Sequence, residues 1–235
     1  MSLPALRLLP GLDGTARLLA PFADAARDAG FSDVAAIAYP TDRVLGYDGL
    51  EALASGALPW TAPFVLLGES FSGPVAIAIA ADPPPNLCGL VLSTTFAKAP
   101  LPLPVPSPLA AFARIAPVRT LPTAALSFAL LGRWATPALR RELRDALDTV
   151  APAVLRARAE AALRVDVRDR LARIRVPALC LRAAHDRLLH LGAHRALCAG
   201  LADAREVAID GPHLLLQTRT RTAADAVARF AAGLG

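Results

Sequence analysis

Short apolar runs recur along this chain between longer segments of helical period, and that alternation limits the fold more than any other feature. The runs are Ala5–Leu9, Val34–Tyr39, Phe64–Leu67, Gly89–Ser93, Ala178–Arg182 and Ala204–Ile209. Helical patterns occupy Leu18–Ala29, Asp48–Ala57, Pro74–Ala81, Leu191–Gly200 and Thr222–Leu234. Strands that alternate with helices build βαβ units and a parallel sheet. Strands covered on both faces read as continuous apolar runs, and these do. The expectation is an α/β fold of three layers, with a mostly parallel sheet of about six strands. The 235 residues suffice for one such core.

One stretch interrupts the rhythm. Residues 97–166 hold no strand-like run and open with Pro100, Pro102, Pro104, Pro106 and Pro108. Proline fixes its own φ and turns its predecessor away from the helical region, so this piece is expected to be extended and stiff. Helical patterns follow. Thr136-Pro137 reads as N-cap and first residue of a helix through Leu147, and Pro152 opens another through Leu163. About 70 residues is long for a plain crossover, so 97–166 reads as an inserted helical cap on a core formed by 1–96 and 167–235.

Composition narrows the class. The net charge is +5, mostly from arginines. They are interleaved with acids, as in Arg140-Arg141-Glu142-Leu143-Arg144-Asp145, which describes solvated helix faces rather than a nucleic-acid surface. No apolar run reaches the roughly 18–20 residues that span a bilayer. The opening residues have neither a basic leader nor a long apolar stretch, so a cytoplasmic protein is expected. Three cysteines at wide spacing, Cys88, Cys180 and Cys198, make no disulfide framework or CxxC pair. Cys88 and Cys180 lie in strand-like runs and read as buried thiols.

The most informative segment is Phe64-Val65-Leu66-Leu67-Gly68-Glu69-Ser70-Phe71-Ser72-Gly73-Pro74-Val75-Ala76, which reads as strand, sharp turn and buried helix. Gly68 and Ser72 are small residues two positions either side of Ser70. A strained turn that lifts a nucleophilic serine above a strand end needs small neighbours there, and it aims a helix N-terminus at the reaction centre. Ser72 is the poorer nucleophile, because Ser70 and Pro74 flank it at those positions.

A serine hydroxyl needs a base. The chain has four histidines. His190 and His194 stand four apart on a helical pattern, with Asp186 four before His190. HxxxH without the intervening glutamate is a weak metal signal, and they read as exposed helix residues. His185 directly follows a strand. His213, in Asp210-Gly211-Pro212-His213, lies on a stiff turn after the last strand, where ligands bind in open α/β sheets. It is the candidate base. The candidate acid is Asp186, after the strand Ala178–Arg182. Asp210 is a rival that serves the turn. The order serine, acid, histidine favours Asp186. After the first strand, Pro10-Gly11-Leu12-Asp13-Gly14-Thr15 offers two glycines for close backbone approach, and the N–H groups of Leu12 and Phe71 are natural oxyanion donors. Asp13 reads as a cap for the helix that follows.

These residues resemble the α/β-hydrolase superfamily over nearly the whole chain. The elbow Gly68–Gly73, the loop Pro10–Thr15, the segment Val176–Leu181 leading to Asp186, and the end Gly211–Gln217 carry the resemblance. It implies Ser70, Asp186 and His213 as a catalytic triad, Leu12 and Phe71 as oxyanion donors, and a cap inserted between strands. It implies no metal and no organic cofactor. Three departures stand out. Ser72 replaces a common glycine, Pro10-Gly11 replaces His-Gly so the loop must be anchored differently, and the first strand begins almost at Met1, so the sheet is trimmed to about six strands. The expected activity is hydrolysis of a carboxylic ester of a small to medium apolar acyl substrate. A thioesterase, an acyltransferase, a carbon–carbon bond hydrolase or a cofactor-free perhydrolase would use the same chemistry. A non-catalytic small-molecule receptor on the same fold is a further alternative, and oligomeric state is left open.

Overall fold

The computed structural model describes residues 3–99 and 123–234. Its six strands are β1 (Ala5–Leu9), β2 (Val34–Ala36), β3 (Phe64–Glu69), β4 (Leu87–Ser93), β5 (Ala178–Ala183) and β6 (Ala204–Ile209). They form one sheet in the order β2-β1-β3-β4-β5-β6, and every pairing is parallel. All six apolar runs are strands. The second is shorter than the expected Val34–Tyr39: it lies at the sheet edge, and beyond Ala36 only the Ile37 N–H still bonds to β1, at the carbonyl of Leu8.

The helices are α1 (Ala20–Asp28), α2 (Tyr47–Gly56), α3 (Gly73–Ala81), α4 (Thr123–Leu130), α5 (Pro137–Asp148), α6 (Pro152–Ala162), α7 (Arg168–Leu171), α8 (Leu191–Ala199), α9 (Leu215–Thr218) and α10 (Thr220–Ala232). Successive strand side chains point to opposite faces, so each face acquires its own core. Leu6, Leu8, Val65, Leu67, Leu179 and Leu181 pack beneath Phe22 of α1 and Val227 and Phe230 of α10. On the other face, Leu9, Phe64, Leu66, Leu90, Leu92 and Cys180 meet Leu50 of α2, Ile77 of α3 and Leu197 of α8. Helix α3 is apolar all round and buried along its whole length, as expected of a helix enclosed by neighbours. The result is the expected three-layer architecture. No helix among the described residues is long and apolar enough to cross a membrane.

Between β4 and β5 the chain departs and returns through a short antiparallel bridge. Ala99 N–H donates to Val165 O and Val167 N–H to Ala97 O, both at 2.8 Å, around the pair Lys98 and Asp166. The proline run from Pro100 to Pro108 lies outside the described residues. Helices α4 to α6 lie within this segment, and its residues Leu131, Leu143, Ala146, Leu147, Val150, Val154 and Leu155 form a third apolar cluster with Leu18 and Leu214. As expected, Thr136 caps α5: its Oγ1 accepts from Leu139 N–H at 3.1 Å. Thr136→Ala removes that acceptor and should cost about 1 kcal/mol. Thermal unfolding should then shift down by about 2–4 °C, as expected for a chain of this size.

Candidate functional site

In an all-parallel sheet the strand C-termini share one edge. From β1 the chain crosses to β2 on one side, whereas β3 leads to β4 on the other, so the loops after β1 and β3 diverge and leave a crevice. The loop Pro10–Thr15 and Ser70 both sit there.

Ser70 adopts φ 47°, in the left-handed region that a residue with a Cβ enters at a cost. The surroundings require this turn. A Cβ on Gly68 would lie 2.7 Å from the Ala76 Cβ and 2.9 Å from the Ser72 carbonyl oxygen, so only glycine fits. Thr95 fills the space against Gly73, and its hydroxyl donates to the Ser70 carbonyl. Ser72 is fully buried. Its hydroxyl donates to the Pro10 carbonyl and accepts from the Tyr39 hydroxyl at 2.7 Å. Two departures from the family pattern are therefore one device, in which the serine replacing glycine anchors the loop that lacks histidine.

A second anchor comes from α6. Arg158 is buried, and its Nη1 donates to the carbonyls of Leu12 at 3.1 Å and Asp13 at 2.7 Å. Its Nη2 donates to the Pro40 carbonyl at 2.8 Å. Burial depresses its pKa, while nearby Asp13 and Tyr39 favour the charge. Gly14 has φ +67°, and any side chain there would run into the guanidinium. The sequence pattern had placed the helical arginines on solvated faces, and Arg158 departs from it. The overlooked signal was position: Arg158 follows Val154 and Leu155 at the three- and four-residue spacing of the buried face of α6. Asp13 also differs from expectation. Its Oδ2 accepts from the Thr15 N–H at 2.9 Å and from the Thr15 hydroxyl, so it closes the loop on itself rather than capping a helix.

The Ser70 Oγ lies 2.8 Å from His213 Nε2, although the residues are 143 apart in sequence. His213 Nδ1 lies 2.8 Å from Asp186 Oδ2. The other Asp186 oxygen accepts from the N–H groups of Leu188 at 2.8 Å and Leu189 at 2.9 Å. Burial pushes the Asp186 pKa up, but the His213 hydrogen bond and charge and the two backbone donors outweigh it, leaving the carboxyl below its ordinary value. An ionised carboxylate only accepts, so Nδ1 carries the proton and Nε2 faces the Ser70 hydroxyl as acceptor. His213 and the Asp186 carboxylate are both well shielded, with side-chain exposures of 3% and 7%.

The rival residues are engaged elsewhere. Asp210 is exposed and accepts from Arg133 and Arg219, with His185 Nε2 at 3.0 Å. His190 is exposed and caps α8, its Nδ1 accepting from Ala193 N–H at 3.1 Å. His194, expected to be exposed, is buried against the sheet edge. Cys180 is buried as expected, but Cys88 is only partly so, its thiol donating to the Phe64 carbonyl at 3.1 Å.

Leu12 lies on the anchored loop, and Phe71 directly follows Ser70. The Phe71 ring stacks on Tyr47 with centroids 5.0 Å apart, and the Tyr47 hydroxyl donates to the Phe71 carbonyl at 3.2 Å. Beneath both runs Glu69, 2% exposed, accepting from Gln217 Nε2 at 2.9 Å and from the Gly11 N–H. Burial drives the Glu69 pKa up to about 7, with Asp13 pushing the same way and Gln217, His213 and Gly11 opposing.

Two outcomes follow from these anchors. Arg158→Met leaves the carbonyls of Leu12, Asp13 and Pro40, the second buried and the others partly so, without this donor and should lower the stability to urea by about 2–3 kcal/mol. The folded-state pKa of Glu69 is raised, so the folded protein binds the extra proton and its stability falls as pH rises from about 4.5 to about 7. Glu69→Gln should not show this loss, on the order of 3 kcal/mol, so it should appear as the difference between the wild-type and variant stability–pH curves.

Residues 51–213, which include Ser70, Asp186 and His213, match the family described as serine aminopeptidase, S33. A comparison with curated proteins gives no match. Among solved structures, the chain is similar to an enol-lactonase from Burkholderia xenovorans LB400, at 22% identity and a TM-score of 0.79 over 98% of this chain and 92% of that one. It is similar to an esterase from Exiguobacterium antarcticum, at 14% identity and a TM-score of 0.81 over 98% and 92%. A bromoperoxidase from Bacillus anthracis gives 14% identity and a TM-score of 0.80 over the same shares. At these identities the likeness is one of fold. With the match across most of its length, the chain belongs to the serine aminopeptidase S33 family of α/β-hydrolases.

Proposed function

We propose that this hydrolase cleaves a carboxylic ester of a small to medium apolar acyl substrate, with Ser70 as nucleophile, His213 as general base and acid, and Asp186 as the group that orients the imidazole. The observation that carries the reading is the relay of two 2.8 Å contacts, Ser70 Oγ to His213 Nε2 and His213 Nδ1 to Asp186 Oδ2. His213 takes the Ser70 proton as the hydroxyl attacks the acyl carbonyl. The tetrahedral oxyanion rests on the backbone N–H groups of Leu12 and Phe71. His213 then protonates the leaving alcohol, and a water activated by the same nitrogen hydrolyses the acyl-enzyme. Asp186 stays ionised and stabilises the imidazolium.

The segment 97–166 serves as the cap over the core formed by 1–96 and 167–235. Three contacts support that role. The segment is pinched at its base by the bridge between Lys98 and Asp166. Arg158 reaches from it to the Leu12 loop. The Leu214 N–H, next to His213, donates to the Leu130 carbonyl at 3.0 Å. An insertion that grips both sides of Ser70 can shape an acyl pocket. The esterase and lactonase among the structural relatives act on the bond class named here.

An organophosphonate should label Ser70 once per chain, and Ser70→Ala should abolish labelling; label on Ser72 in that variant would refute the assignment. Asp186→Asn should fold normally but lose about 10⁴ in turnover, because the wrong imidazole tautomer then faces Ser70. A panel of chromogenic esters of graded acyl length, run beside matching thioesters, should show a short-to-medium chain optimum with ester preferred. Preference for thioesters would move the protein to that class.

A further inference from the structure

At the sheet edge remote from β1, helix α8 lies against β6 and brings three side chains together that the relay around Ser70 does not use. His194 and Cys198 are four residues apart on α8 and so share one helix face, and their Nε2 and Sγ atoms are 3.4 Å apart. His194 Nε2 also lies 3.4 Å from Oε2 of Glu206 on β6. The ligand atoms of all three lie within 4.8 Å of one another. We infer that His194, Cys198 and Glu206 bind a thiophilic divalent cation, zinc by preference, at the junction of α8 with β5 and β6.

The distances fit one central ion. With Zn–S at about 2.3 Å and Zn–N and Zn–O at about 2.0–2.2 Å, tetrahedral geometry separates the ligand atoms by about 3.3–3.7 Å. The two 3.4 Å separations, both to His194 Nε2, already lie in that range, and Cys198 and Glu206, within 4.8 Å of each other, have to draw together on the ion. The donor set is selective, since thiolate with imidazole favours zinc and excludes the hard ions magnesium and calcium. The surroundings orient the ligands. Arg182 Nε donates to Glu206 Oε1 at 2.9 Å, leaving Oε2 to face the site. Cys180, fully buried and in register with Glu206 across the β5–β6 pairing, belongs to the apolar cluster against which Cys198 packs. His194 also lines a cavity of about 220 Å³ together with Thr94, Arg182, Asp186 and His190, and Glu206 is partly exposed, so solvent reaches the neighbourhood of the ligands. Three protein ligands and a water complete the tetrahedron. Binding replaces the Cys198 thiol proton with the metal, and that proton leaves to solvent. The thiolate and carboxylate then balance the two charges of the ion.

The consequence is structural. Asp186 is held by the N–H groups of Leu188 and Leu189, in the turn that leads directly into α8. An ion that ties α8 to β6 braces that turn. In the sequence the HxxxH spacing of His190 and His194 is a weak metal signal, and both read as exposed helix residues. The ligating pair is instead His194 and Cys198, one turn further on, because His190 is taken by the helix cap.

The test is a titration of chelator-treated full-length protein with cobalt(II), followed by zinc. One equivalent per chain should produce a thiolate-to-cobalt charge-transfer band and tetrahedral ligand-field bands, both bleached by one equivalent of zinc, and zinc should raise the melting temperature. Cys198→Ser should abolish the charge-transfer band, and His213→Ala should retain it, which separates this site from the residues around Ser70. Glu206 is exposed enough to be replaced without unfolding, and Glu206→Gln should weaken zinc at least tenfold. The proposal is overturned if the wild-type protein takes up no stoichiometric cobalt, if the band survives in Cys198→Ser, or if Glu206→Gln binds zinc as tightly as wild type.

Discussion

The backbone at Ser70 is held at φ 47°, where a residue bearing a Cβ loses about 1–3 kcal/mol, and most of the site exists in a form that keeps it there. Gly68 lets α3 close against the end of β3. Thr95, from the end of β4, secures the Ser70 carbonyl. One residue further, the Ser72 hydroxyl fastens the turn to Pro10. The strain is thus shared among three neighbouring strands, and it has a direct product: the Ser70 hydroxyl stands clear of the sheet at His213.

The loop after β1 is fixed from both sides. Ser72 and Tyr39 hold its beginning from within the core, and Arg158 holds its middle from the segment between β4 and β5. Three backbone carbonyls spread the guanidinium charge, and the Tyr39 ring lies 5.6 Å from it. A buried cation satisfied in this way rigidifies whatever its partners belong to. Here two of the three partners are Leu12, the proposed oxyanion donor, and its neighbour Asp13. Core and insertion are therefore coupled through one side chain. That coupling gives the loop a fixed shape.

The four inner strands were legible because burial on both faces forces continuous apolar runs, whereas the largely exposed edge strands β2 and β6 were legible from their place in the alternation with helical segments. Ser70, Asp186 and His213 were legible because each follows a strand, and a parallel sheet delivers all strand ends to one edge. What escaped the sequence reading depends on contacts between distant segments. Nothing local to Ser72 names Pro10 as its partner, 62 residues away. Arg158 reads like its neighbours Arg156 and Arg164 until the buried face of α6 is known. His194 looked like an exposed helix histidine because α8 has no long apolar stripe; in the fold it faces Glu206 of the edge strand β6 and is buried. The short β2 has the same origin, since an apolar run at a sheet edge pairs only as far as its single neighbour allows.

The central claim is that acyl transfer passes through Ser70, and it is tested most directly by trapping the intermediate. A chromogenic ester with a good leaving group, mixed with stoichiometric enzyme and quenched in acid during the first turnover, should leave one acyl group per chain on the peptide that contains Ser70, identified by mass spectrometry. An acyl group on Ser72, on Cys198 or on any other side chain would contradict the account.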